Sequence, residues 1–66
     1  MKNILKEERL KNELTQSQLA ELVGVSRQTI FSIEVNKYVP SVVLSIKLAK
    51  ALRKRVEEIF LLEKSD

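Results

Sequence analysis

Apolar residues in the middle of the chain recur at helical spacing, in two short runs separated by a glycine. Spacings of three and four residues place side chains on one side of a helix. The positions that would share such faces are Leu19, Leu22 and Val23 in the first run and Ile30 and Ile33 in the second. The pattern predicts two short helices, near residues 16–23 and 27–34.

Polar residues at the predicted helix ends support these boundaries. Thr15 and Gln18 stand three apart just before the first apolar run, as in a capping box. Gly24 follows that run, where a left-handed residue commonly ends a helix, and Ser26 is an N-cap candidate for the next helix. A helix, a turn of three or four residues that contains Gly, and a second helix form the layout of a helix-turn-helix.

Arg27 and Gln28 occupy the first positions of the second helix of this motif. Both side chains can make bidentate hydrogen bonds to base edges in the major groove of DNA. A DNA-binding helix-turn-helix presents the first residues of its second helix to the bases. The sequence therefore predicts a DNA-reading helix, although outside this motif the same residues would be ordinary solvated surface.

The residues before the motif predict another helix, over 4–13. Ile4, Leu5 and Leu10 supply its apolar positions, and Glu8 interrupts that face. After the motif, Asn36 is the expected left-handed residue, because Asn tolerates that conformation best after Gly.

Two more helices are predicted toward the end of the chain. Ser41, after a loop that Pro40 keeps extended, caps a helix near 42–52. A short fifth helix covers about 56–60. Because neither Gly nor a good N-cap separates these two helices, one bent helix is an alternative.

Composition limits the classes of function. The chain has 66 residues, a net charge of +3 and neither Cys nor His. We expect one domain, 1–66, without disulfides, a metal site or a cofactor, and with a core too small for a small-molecule ligand. No apolar run approaches the ~18 residues of a membrane span, and the N-terminal residues become charged too early for a signal peptide. Lack of Cys fits a reducing cytoplasm.

Nothing in the sequence predicts catalysis. Neighbouring carboxylates occur at Glu7 and Glu8 and again at Glu57 and Glu58. Adjacent residues on a helix do not face one another, and neither pair has a nucleophile beside it. We do not expect an enzyme.

The chain resembles the Cro/C1-type helix-turn-helix regulators of bacteria and phages, also called the xenobiotic-response-element class. The resemblance covers Leu5 to Phe60. It is carried by the segments Leu14-Thr15-Gln16, Gln18-Leu19-Ala20, Gly24 to Ile30, Ile33-Glu34, Lys37-Tyr38 and Pro40-Ser41. It implies an all-α, five-helix, lambda-repressor-like domain that binds operator DNA as a dimer, with a short β-ribbon from the chain ends in some short members.

The resemblance also implies which residues contact DNA. Arg27, Gln28 and, one turn later, Ser32 correspond to positions that face bases. Phe31 lies on the same exposed side, where it would contact a thymine methyl group or pack on the loop at Tyr38. The positions that correspond to phosphate-backbone contacts are Gln16, Thr29, Asn36, Lys37 and Tyr38. For Tyr38 the alternative role is that of a partly buried loop plug.

The chain departs from the family pattern at several positions. Val39 stands where the family often has Asn before Pro, so one common phosphate contact is not expected. Arg53 and Arg55 replace the Gly that ends the fourth helix and the Ser or Thr that caps the fifth. The family's structural ion pair between its first and third helices is retained as Arg9 and Glu34.

The end of the chain carries more large apolar side chains than one short helix can bury. These are Val56, Ile59, Phe60, Leu61 and Leu62. We expect a dimerisation segment near 56–63, with Met1–Ile4 beside it as a short strand. The sequence thus predicts a homodimeric repressor of transcription. The alternatives are an antitoxin-like or accessory regulator tuned by a protein partner, and an interaction module that has lost DNA binding.

Overall fold

Five helices follow one another along the chain, and two short strands pair near its ends, in a computed structural model that describes residues 1–66. The elements are β1 (Lys2–Asn3), α1 (Leu5–Lys11), α2 (Gln16–Val23), α3 (Arg27–Glu34), α4 (Val42–Leu52), α5 (Val56–Ile59) and β2 (Phe60–Leu61). The predicted five-helix fold with a terminal ribbon is confirmed. No helix is both long enough and apolar enough to cross a membrane.

The turn between α2 and α3 is built by local side-chain chemistry. Thr15 Oγ1 accepts the Gln18 N–H at 3.0 Å, and Gln18 Oε1 accepts the Thr15 N–H at 2.8 Å, which completes the capping box. Gly24 ends α2 in the left-handed conformation, with φ of 75°. Ser26 Oγ then accepts the Thr29 N–H at 3.2 Å. These contacts satisfy helix-end N–H groups that would otherwise lack partners, so the start of α3 is fixed by the sequence around it.

A single core joins all five helices. It contains twelve buried apolar residues, which are Leu5, Leu19, Ala20, Val23, Ile30, Ile33, Leu44, Leu48, Ala49, Leu52, Ile59 and Phe60. Leu10 and Leu22, which the sequence pattern assigned to the apolar faces of α1 and α2, are exposed. In α2 the buried side is centred on Leu19, Ala20 and Val23, and the core face of α1 carries Leu5 together with Glu8 and Arg9.

The predicted first helix was two residues too long at its end. Glu13 adopts φ of 56°, in the left-handed region, and the Leu14 N–H turns back to the Arg9 carbonyl at 3.1 Å. The helix therefore stops at Lys11. Glu8, expected to be unfavourable in the core face, is buried, and its Oε2 accepts from Lys11 Nζ at 3.2 Å.

The last two helices are separate, so the alternative of one bent helix is wrong. Arg53 takes the left-handed conformation with φ of 57°, and the Lys54 N–H bonds to the Ala49 carbonyl at 3.0 Å. The Arg55 N–H donates to Glu58 Oε1 at 2.9 Å at the start of α5. That bond, with the Arg55 charge, holds the pKa of the Glu58 carboxyl below its ordinary value.

The ribbon closes the two ends of the chain on each other. β1 and β2 are antiparallel, with Lys2 opposite Leu61 and Asn3 opposite Phe60. The Ile4 N–H extends the pairing to the Ile59 carbonyl at 2.9 Å. Ile59 and Phe60 are buried within the protomer's own core. These two side chains leave little surface for a partner. In the expected dimer segment, Val56 is half-buried and Leu61 and Leu62 are exposed.

Arg53→Gly should stabilise the protein. A left-handed residue with a Cβ costs roughly 1–2 kcal/mol, and glycine removes that cost while losing about 0.5–1 kcal/mol of backbone entropy. We expect a net gain of about 0.5–1 kcal/mol in the free energy of unfolding, or a rise of several degrees in Tm. Lys54→Gly, at a neighbour without positive φ, is the matched control and should lower Tm. A fall in Tm with Arg53→Gly would contradict this account of the helix end.

Candidate nucleic-acid interface

α3 separates an apolar side from a polar side. Ile30 and Ile33 are fully buried and anchor the helix in the core. On the other side Arg27, Gln28 and Phe31 are exposed and Ser32 is half-buried. Residues three and four apart lie near one another on a helix surface, so Gln28 lies beside both Phe31 and Ser32, and Arg27 lies beside Phe31. The candidate base-reading side chains therefore lie on the accessible side of α3.

A shallow depression adjoins this face. It is lined by Gln28, Thr29, Ser32, Lys37 and Tyr38 and encloses about 270 Å³. Two candidate base-reading residues therefore meet three candidate backbone-contacting residues. Amide, hydroxyl and ammonium donors converge here, and such groups suit the phosphate and sugar oxygens that flank a base edge. Tyr38 is 46% exposed and contributes to the wall of this depression.

The only carboxylate on α3 is neutralised inside the protein. Arg9 Nε donates to Glu34 Oε2 at 2.7 Å and Arg9 Nη2 donates to Glu34 Oε1 at 3.3 Å. The side chains are 8% and 4% exposed, respectively. Arg9 Nη1 also donates to the Leu14 carbonyl at 2.8 Å. Removal of Glu34 charge from the surface leaves the exposed side of α3 with Arg27 and no unpaired acid.

Gln16 connects that ion pair to the candidate reading face. Its Nε2 donates to Glu34 Oε1 at 3.0 Å, and its Oε1 accepts from Arg27 Nη1 at 2.9 Å. Since a carboxylate only accepts and a guanidinium only donates, these partners determine the orientation of the amide. One N–H of Gln16 stays available for a phosphate. The sequence suggested Gln16 for a phosphate contact and Arg9 with Glu34 as a pair, but not that one hydrogen-bonded chain would join them to Arg27.

The remaining predicted contact, Asn36, follows α3 in the left-handed conformation, with φ of 62°. Its Oδ1 accepts from Asn3 Nδ2 at 3.0 Å. Sequence reasoning did not single out Asn3, because the two asparagines are 33 residues apart and no local pattern relates them.

A second, apolar surface lies elsewhere on the molecule. A depression of about 230 Å³ is lined by Met1, Val39, Pro40, Val42, Ser45, Ile46, Val56 and Phe60. Val42 is 75% exposed and Leu62 is 83% exposed, and Val43, Ile46 and Leu61 also expose large apolar side chains. Val42, Ile46 and Val56 line this depression, and Leu61 and Leu62 follow its lining residue Phe60 along the chain. We refer to these five exposed or half-buried residues together as the apolar face. The sequence pattern indicated the part of this face in α5 and the C-terminal residues, but not the part in α4. The signal was that α4 carries apolar residues on more than one side, which is typical of a helix that is covered on more than one side.

A helix-turn-helix family model matches residues 5–59. The chain therefore belongs to the Cro/C1-type helix-turn-helix family, whose members are DNA-binding transcriptional regulators and not a class of enzymes.

Individual relatives agree with this assignment. The chain is 51% identical over 63 residues to the HTH-type transcriptional regulator MJ0272 of Methanocaldococcus jannaschii, with 96% of each chain covered. Its structure is similar to that of the restriction-modification controller protein C.AhdI from Aeromonas hydrophila, with a TM-score of 0.79, 36% identity and 85% of each chain covered. It is also similar to the N-terminal DNA binding domain of SinR from Bacillus subtilis, with a TM-score of 0.78, 32% identity and coverage of 94% of this chain and 90% of the other.

Proposed function

We propose that this protein is a homodimeric, cytoplasmic repressor of transcription that occupies a near-palindromic operator. The observation that carries the proposal is the exposed face of α3, where Arg27, Gln28 and Ser32 lie beside the depression that Lys37 and Tyr38 line. Arg and Gln match the donor and acceptor patterns of guanine and adenine in the major groove. Repression would follow from occupancy, because a protein bound at a promoter excludes polymerase.

Each candidate contact has a distinct role in this proposal. Arg27, Gln28 and Ser32 read base edges, and Phe31 contacts a thymine methyl group from the same face. Gln16, Thr29, Asn36, Lys37 and Tyr38 contact the phosphate backbone, which fixes the register of α3 without reading sequence.

The proposed dimer uses the apolar face. Leu61 is 40% exposed and Leu62 is 83% exposed. Leaving them in water would forgo roughly 2–4 kcal/mol of burial, which is a large fraction of the whole stability of a small domain. A second copy related by a two-fold axis can cover the same face on both protomers. It would also place two α3 helices about one turn of DNA apart, as a palindromic operator requires.

Selection of bound sites from random duplex DNA tests the proposal. We expect one near-palindromic sequence to be enriched. Affinity for it should fall steeply with salt, because Lys and Arg contacts release counterions, and about six phosphate contacts per dimer predict a log–log slope near −5. A slope near zero, or no preferred sequence, would favour an interaction module that does not read DNA.

Arg27→Ala and Lys37→Ala should weaken DNA binding in different ways. Loss of a base contact should relax the base preference at one position of each half-site. It should cost about 1–3 kcal/mol of binding free energy for the preferred base. Loss of a phosphate contact should instead weaken binding to all sequences about equally. Binding to the selected operator and to a set of singly substituted operators separates the two. If Arg27→Ala lowers every affinity by the same factor, Arg27 does not read a base.

Replacing Leu61 and Leu62 together with Lys should yield a monomer that binds the operator much more weakly. Charged side chains on the apolar face oppose burial against a second copy. Leu10→Lys is the matched control, because Leu10 is an exposed leucine on α1, a helix that contributes no residue to that face. Sedimentation at micromolar concentration measures the outcome. A wild-type monomer, or a double variant that remains dimeric, would place the interface elsewhere.

A further inference from the structure

We propose that Asn3 is a positioning residue of the DNA-binding surface, which turns the Asn36 side chain so that its N–H donors face the phosphate backbone. The inference rests on the proposed function, and it adds a residue that makes no DNA contact itself.

The side chain of Asn3 is fully engaged. Its Oδ1 accepts the Leu5 N–H at 3.1 Å. Its Nδ2 donates to the Ile33 carbonyl at 2.9 Å and to Asn36 Oδ1 at 3.0 Å. The first contact satisfies an N–H at the start of α1, where the N-cap residue Ile4 supplies no side-chain acceptor. The other two lie at the C-terminal end of α3.

These partners allow only one orientation of the Asn3 amide. A backbone N–H requires the amide oxygen, and a backbone carbonyl requires the amide nitrogen. Reversal would set donor against donor at Leu5 and acceptor against acceptor at Ile33. Asn3 Nδ2 therefore always points toward α3 and selects the oxygen of Asn36 as its partner.

The consequence appears at Asn36. A primary amide has an accepting end and a donating end. With Oδ1 held by Asn3, the donating end of this exposed side chain is left for solvent or for an anion. The backbone at Asn36 is also held, since its N–H donates to the Ile33 carbonyl at 3.0 Å and the Lys37 N–H donates to the Ser32 carbonyl at 2.9 Å. Asn3 thus determines which end of an already placed amide meets the DNA.

The position of Asn3 depends in turn on the ribbon. Asn3 pairs with Phe60 across β1 and β2, and Phe60 is buried in the core. Phe60 directly precedes Leu61 of the apolar face. Asn3 therefore links the strand that leads into that face to the end of α3.

Asn3→Asp tests this role. The variant keeps an oxygen for Leu5 but replaces the donor that faces Asn36 with an acceptor, so Asn36 should turn its own N–H inward and its oxygen outward. We expect affinity for the selected operator to fall by about threefold to tenfold, the equivalent of one hydrogen bond. Discrimination between operator variants should stay unchanged, because only a phosphate contact is lost.

Asn12→Asp is the matched control. Asn12 Nδ2 likewise donates to a helix carbonyl, that of Glu8 at 2.8 Å, and the substitution adds the same negative charge without involving α3. Affinities are measured at a temperature where circular dichroism shows each variant folded. Asn3→Asp should reduce affinity severalfold more than Asn12→Asp, and this excess should disappear when Asn36 is already Ala.

Several results would overturn the role of Asn3. One is equal affinity for the two Asp variants, and another is an excess loss that persists unchanged beside Asn36→Ala. If Asn3→Asp does not fold, Asn36→Asp decides the question, since it keeps an oxygen for Asn3 and replaces the outward donor with a negatively charged acceptor. Affinity equal to that of Asn12→Asp would then refute the proposal. Failure of the wild type to prefer any duplex would instead overturn the proposed function.

Discussion

The contact between Arg9 and Glu34 is the interaction on which the placement of α3 depends. It joins α1 to the end of α3, and through Gln16 it reaches Arg27 at the start of α3. A buried ion pair contributes little net stability, but loss of one partner leaves an uncompensated charge that costs about 3–5 kcal/mol. The pair therefore acts mainly as a geometric constraint, which holds both ends of one helix and keeps an acidic group away from its exposed face.

The two surfaces of the molecule are built by opposite means. On the polar face of α3, Arg27 is held by Gln16, which is itself held by Glu34, and such directional contacts suit recognition. The apolar face of α4, α5 and the C-terminal residues has no such hydrogen bonds. It provides only apolar surface, which a partner would bury without directional contacts. A substitution on one surface should leave the hydrogen bonds of the other intact, except where Asn3 links the ribbon to α3.

Local chemistry made much of the fold predictable. The capping box at Thr15, the glycine at position 24 and the cap at Ser26 act within a few residues, so the bounds of α2 and α3 follow from sequence alone. Features that depend on distant residues could not be predicted from the sequence. Arg53 adopts a left-handed conformation that its side chain disfavours, and Val42 is exposed although its apolar side chain would suit a core position. The link between Asn3 and Asn36 requires the tertiary structure.

The ribbon has a consequence for the order of folding. Lys2 pairs with Leu61, so this contact closes a loop that spans nearly the whole chain, whereas α2 and α3 meet across a short turn. The entropic cost of closing a loop rises with its length, so pairings between distant residues form more readily once nearby contacts have brought the two segments together. The helical core can therefore assemble first and the ribbon last, and the ribbon should be the first element to open in the native state. Hydrogen exchange at Ile4 would report this opening.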